Sequence, residues 1–141
     1  MSAIVVDSCV VVKWIVPEPD SDKARGLLSE AVSAGDELCV LDIAPAEVVN
    51  AIWKRQHRGL TTMEEAKGFL EDMGDLPVRV EPSAPLLTAA FEIAVKYDRS
   101  VYDALFVALS RKLGVRGVTA DEPLFNAIKG DFPNIALLRQ I

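Results

Sequence analysis

A chain of 141 residues, half of them hydrophobic and 26% charged, can bury a substantial core without disulfide or metal staples. The net charge of -6 weighs against nonspecific nucleic-acid binding, which depends on neutralising phosphates. It leaves room for an enzyme whose acids gather on metal ions, because a bound cation reverses the local charge.

Cys9 and Cys39 are too few and too far apart for a CxxC metal site or a disulfide framework, and read as buried thiols. Residues 1–7 lack the basic start and long apolar core of a signal peptide. No apolar run approaches the ~20 residues that span a bilayer. The expected compartment is the cytoplasm.

Ala3-Ile4-Val5-Val6 is a short β-branched run ended by Asp7, and its continuous apolarity predicts a strand buried on both faces, as in a parallel sheet. Residues 8–15 predict a short helix behind it, closed by Pro17 and Pro19. Ala24, Leu27, Leu28, Ala31 and Val32 form one helical stripe over 21–34, with Ser21 as N-cap and Gly35 as stop. Residues 38–41 predict a second buried strand.

Pro45 suits the first turn of the next helix, which is expected to turn Val48, Val49, Ile52 and Trp53 inward and to end near Gly59. Thr61 or Thr62 caps a helix striped by Ala66, Phe69, Leu70 and Met73. Val78-Arg79-Val80 alternates like an edge strand. A helix over 84–97 buries Leu87, Ala90, Ile93, Ala94 and Tyr97, and Ser100 opens another that Gly114 stops. Residues 115–120 predict a strand, 121–128 a short helix and 136–138 a last strand. This alternation predicts an α/β protein: a three-layer α/β/α sandwich around a mostly parallel sheet of about five strands, one domain over residues 1–141.

Four carboxylates fall at the openings of these elements. Asp7 follows the first strand, and an acid there is an ordinary turn or N-cap residue. Glu47 lies in a first turn, where the helix dipole favours negative charge. Ser100 and Asp103 have the spacing of a capping box, and Asp121 can cap the helix that Pro123 helps to start. Together they suggest more, because ligands of open parallel sheets bind beyond the carboxyl ends of the strands. Carboxylates gathered there would repel one another and raise their pKa values. A hard divalent cation removes that penalty, and oxygen-only donors suit Mg²⁺ or Mn²⁺. The only histidine, His57, falls on an exposed helix face, and no CxxC or HExxH points to zinc.

The order Val-Val-Asp (Asp7), a helix glutamate (Glu47), Ser-x-Tyr-Asp-Ala (Asp103) and Thr-x-Asp (Thr119, Asp121) resembles the PIN-domain nucleases, specifically the VapC-type toxins of prokaryotic toxin–antitoxin systems. The likeness runs from Ile4 to about Leu138. It implies a metal-dependent endoribonuclease in which Asp7, Glu47, Asp103 and Asp121 are the acidic quartet that holds Mg²⁺ or Mn²⁺, with Thr119 supporting the site through its hydroxyl. Many relatives have Ser or Asn two residues after the first acid; Cys9 stands here, and a thiol is a poorer hydrogen-bond partner for Asp7.

The resemblance also implies an RNA substrate, a homodimer and an antitoxin whose tail blocks the acidic site. Lys54, Arg55, His57 and Arg58 crowd the end of the Glu47 helix within possible reach of backbone phosphates, with Lys13, Arg99 and Arg111 as further candidates. Trp14, Trp53 and the helix around 69–73 are candidate apolar contact surface or, equally, plain core. Two other readings stay open: a PIN-like binding module without catalysis, and a receiver-type phosphoacceptor domain. The second needs a lysine at the end of a late strand, where this chain has Asp121 and Arg139.

Overall fold

The computed structural model describes residues 2–141. Five strands, β1 (Ala3–Val6), β2 (Glu37–Leu41), β3 (Val78–Glu81), β4 (Arg116–Thr119) and β5 (Ile135–Leu137), form one sheet in the order β3-β2-β1-β4-β5. Every pairing is parallel. Seven α-helices surround it: α1 (Ser8–Ile15), α2 (Ser21–Ala34), α3 (Ala44–His57), α4 (Met63–Gly74), α5 (Leu87–Tyr97), α6 (Val101–Leu113) and α7 (Glu122–Ile128). Short 3₁₀ turns cover Ala84–Leu86 and Leu138–Gln140.

Side chains alternate across the sheet with the two-residue period of a strand. Ile4, Val6, Leu38, Val40 and Val118 pack into one core with α1 to α4. Val5, Cys39, Leu41 and Ile135 pack into a second core with α5 to α7. The two cysteines therefore lie on opposite sides of the sheet, and both are free thiols.

The chain steps outward from β1 through β2 to β3, then crosses back under the second face to β4 beside β1. Strand order thus reverses between β1 and β4, and a crevice opens beyond their carboxyl ends.

Gly117 shows how tightly α6 is laid against β4. A β-carbon there would collide with Ser110 Oγ and come within 3.1 Å of Phe106 Cζ. Gly117→Ala is expected to cost about 1–3 kcal/mol, the usual penalty for overpacking, measured by chemical denaturation. Adding Ser110→Ala should recover part of that loss, because the hydroxyl oxygen is the first atom met.

Five apolar assignments differ from the periodicity, Val32 of α2 and Leu70 of α4 being exposed among them. Val48 and Ile52 are buried, whereas Val49 and Trp53 (55% exposed) face outward, because α4 covers only part of α3. Leu87 is likewise exposed. Trp14 is core rather than contact surface: only 7% exposed, it donates its indole N–H to the Ala24 carbonyl at 2.8 Å, joining α1 to α2.

Candidate active site

β1 and β4 place the first and last acids side by side. Val6 pairs with Val118, and the Asp7 N–H donates to the Val118 carbonyl at 3.0 Å, so the end of β1 is pinned to β4. Asp7 then caps α1, its Oδ1 accepting from the Ser8 N–H at 2.9 Å. Asp121, just beyond β4, caps α7 by accepting from the Leu124 N–H at 3.0 Å. Each cap uses one carboxylate oxygen, Oδ1 in both acids, and leaves Oδ2 for other partners.

Thr119 joins these two acids. Fully buried, its hydroxyl donates to Asp7 Oδ2 at 2.8 Å and accepts from the Asp121 N–H at 3.0 Å. The support expected of Thr119 is therefore formed. Cys9 contributes too: its sulfur accepts from the Ala120 N–H at 3.3 Å and lies 3.6 Å from the Thr119 hydroxyl. Burial first, then the charge of Asp7, pushes the Cys9 thiol up to about 12, so it stays neutral. The thiol steadies the β4–α7 turn and the threonine that holds Asp7. Its place in this network was not legible in the sequence.

Asp103 lies in the first turn of α6, whose N-cap Ser100 accepts the Asp103 N–H at 3.1 Å. Thr62 and Glu65 make a complete, reciprocal capping box at α4. In α6, by contrast, the Asp103 carboxylate pairs with Arg99 at 3.1 Å. The same guanidinium nitrogen lies 3.8 Å from Asp121 Oδ2. Glu47, in the first turn of α3, lines a cleft with Asp7, Ser8, Ala44, Tyr102 and Phe106.

The electrostatics record how close these acids stand. Burial raises the Asp7 carboxyl from 3.8 to about 6; the Asp103 charge adds to the shift, and the Thr119 hydrogen bond opposes it. Glu47 is also raised, by partial burial first and then by Asp7, with a smaller push from Asp103. Much of the Glu47 residue is open to water, so screening keeps its shift small in energy. As the side chains lie, no three acidic, histidine or cysteine groups among the described residues stand close enough to grip one ion. The donor set nonetheless suits a hard divalent cation: every candidate is oxygen, and burial, with repulsion added to it, disfavours the charged forms of Asp7 and Glu47 unless positive charge arrives.

The basic residues divide. Lys13 is committed to the Pro19 carbonyl at 2.9 Å and to Glu18 at 3.5 Å. Arg55 reaches Glu18 at 3.9 Å and Thr61 Oγ1 at 3.3 Å. Lys54 and Arg58 are exposed, while His57 stacks on Trp53 with ring centroids 5.2 Å apart. At ~1.5 Å rise per residue, Lys54 and Arg58 lie roughly 10–16 Å along α3 from Glu47, outside the acidic group. Arg111 sits at the far end of α6 over the Phe132 ring. Arg99 is the cation inside the acidic group. Its spacing of four residues from Asp103 was the available sequence signal.

A parallel sheet with its acids at the β1–β4 reversal defines the class of protein, and residues 4–130 match the PIN domain family. The chain belongs to that family. It is 38% identical over 123 residues, 86% of this chain and 91% of the relative, to Ribonuclease VapC3 of Pyrobaculum aerophilum.

Two solved structures share the fold at lower identity. VapC20 of Mycobacterium tuberculosis, a sarcin-ricin loop cleaving toxin, superposes with a TM-score of 0.65 at 21% identity, covering 88% of this chain and 94% of that one. VapBC2 from Rickettsia felis, bound to a DNA fragment from its promoter, gives 0.66 at 14% identity over 96% of both chains.

Proposed function

We propose that this protein is a metal-dependent endoribonuclease that hydrolyses RNA phosphodiester bonds, the toxin of a toxin–antitoxin pair acting in the cytoplasm. The observation that carries the reading is Thr119 joining Asp7 to Asp121 at the point of strand reversal, with Asp103 and Glu47 electrostatically coupled to Asp7. Kinship with a ribonuclease supports the substrate class.

Asp7, Asp103 and Asp121 would hold Mg²⁺ or Mn²⁺, with Glu47 binding directly or through water. With such a cation bound, the site would gain a means to lower the pKa of a water, polarise the phosphate and stabilise the leaving oxygen. The residues do the rest. Thr119 and the Ser8 N–H fix both oxygens of Asp7, and the α7 cap fixes Asp121. Glu47, which lines the cleft beside Asp7, would orient a nucleophilic water. Lys54 and Arg58 would hold flanking phosphates.

The partner reading has two surfaces in its support. Val49, Trp53, Met63 and Leu70 line a groove of about 160 Å³ between α3 and α4, suited to an apolar antitoxin segment. Leu87, Phe91 and Val95 form an exposed stripe on α5, suited to a second copy of this chain. A neighbour solved as a toxin–antitoxin assembly supports an antitoxin partner.

Purified protein incubated with structured RNAs should cleave them in Mn²⁺ and not in EDTA. Asp103→Asn should lower the rate by about 10²-fold, in line with loss of one charged group at a phosphoryl-transfer site. No cleavage by the parent, or equal cleavage by both proteins, would sink the assignment.

A further inference from the structure

Arg99 is a cation placed where the proposed reaction needs a different one. It stands in the connection between α5 and α6, after Asp98, whose backbone is left-handed (φ 53°). Its N–H donates to the Ala94 carbonyl at 3.1 Å, which fixes the base of the side chain. One guanidinium nitrogen then lies between Asp103 and Asp121, 3.1 Å and 3.8 Å from their Oδ2 atoms. These acids come from separate elements, and Arg99 is the ion-pair partner they share.

The guanidinium is held but not satisfied. Arginine carries five N–H donors, and the Arg99 Nε is buried with no hydrogen-bond partner. An orphaned buried donor is unfavourable, so the bound pose carries a standing penalty. The arginine also sits beside the N-termini of α6 and α7, where helix dipoles favour anions over cations. The charged end of the side chain is therefore held by the two carboxylates.

We propose that Arg99 is a positioning residue that bridges Asp103 and Asp121 while no divalent cation is bound and yields them when one binds. This rests on the metal-dependent reading above. In the metal-free protein the bridge keeps two like charges together. On loading, a divalent ion outcompetes a single, partly exposed guanidinium for the same oxygens, and the freed donors become available to a phosphate oxygen, which a planar guanidinium recognises well.

The test follows Mg²⁺ titration of the intact protein by calorimetry and by ¹⁵N-edited NMR of the arginine Nε–H groups, beside Arg99→Met and Arg99→Lys. The Arg99 Nε signal should shift with the calorimetric midpoint. Arg99→Met should bind Mg²⁺ about threefold to tenfold more tightly, the worth of one partly exposed ion pair no longer displaced, and should melt lower in EDTA. Arg99→Lys should fall between.

A stationary Nε signal with Mg²⁺ bound, or unchanged or weaker binding by Arg99→Met, reduces Arg99 to a structural ion pair and leaves the metal reading intact. No Mg²⁺ uptake by the parent overturns both. The NMR arm needs no variant to fold.

Discussion

Asp7→Asn is expected to stabilise the metal-free protein while lowering RNA cleavage by about 10³-fold or more, as loss of a central charged ligand should. The stability gain follows from the direction of the Asp7 shift. Its carboxyl is raised from 3.8 to about 6, mainly by burial, so the folded state holds a proton that the unfolded chain releases. Between these two values the folded state binds more protons, and the stability of the metal-free protein falls as pH rises through the window. Above about pH 6 the loss is complete, on the order of 2–3 kcal/mol.

Asparagine removes the charge and keeps the shape. It caps helices as well as aspartate does. The Thr119 hydroxyl, donor and acceptor both, can turn to receive the new amide N–H. Melting in EDTA at pH 7.5 should therefore rise by about 5 °C in Asp7→Asn. The parent should also lose stability from pH 4 to 6 more steeply than the variant. Equal melting curves at both pH values would mean that Asp7 carries no burial penalty.

Thr119→Val is expected to act in the opposite direction. Valine fills the same volume but cannot donate to Asp7 or accept from the Asp121 N–H, and the site is fully buried. Stranding that N–H should cost about 1–3 kcal/mol in denaturant unfolding. Asp7 loses the hydrogen bond that most opposes its upward shift, so its charged form becomes harder to hold. Metal affinity or activity should fall by about 10- to 100-fold, the usual consequence of removing a group that orients a ligand. Thr119→Ser should recover most of the metal affinity, because the hydroxyl remains. A Thr119→Val protein that binds Mn²⁺ normally would remove the threonine from the site.

The sequence carried the architecture well because its strongest signals are local. Ser8–Ile15 and Ser21–Ala34 form over the expected ranges, although Asp20 rather than Ser21 stands at the N-cap of α2, and Val78-Arg79-Val80 does lie on the edge strand. The strand ends were also legible, and with them the places of Asp7 and Asp121, which Thr119 joins. Contacts between distant elements were not. Periodicity marks a helix face as apolar but does not reveal how far a neighbour covers it, so it does not separate Trp53, which the packing leaves exposed, from Trp14, which it buries. Charge clustering made Lys13 and Arg55 look free when Glu18 engages both. Arg99 needed the fold itself, since its second partner lies across the α6–β4 connection.

The central claim is that four carboxylates from separate elements serve one divalent centre. Crystals equilibrated with Mn²⁺ and measured at an anomalous wavelength test it most directly. The expected result is a peak in the β1–β4 crevice, with oxygens of Asp7 and Asp103 within about 2.5 Å of it and Asp121 turned from Arg99 toward it. No peak at millimolar Mn²⁺, or one held only by surface acids such as Glu64 and Asp36, would contradict it.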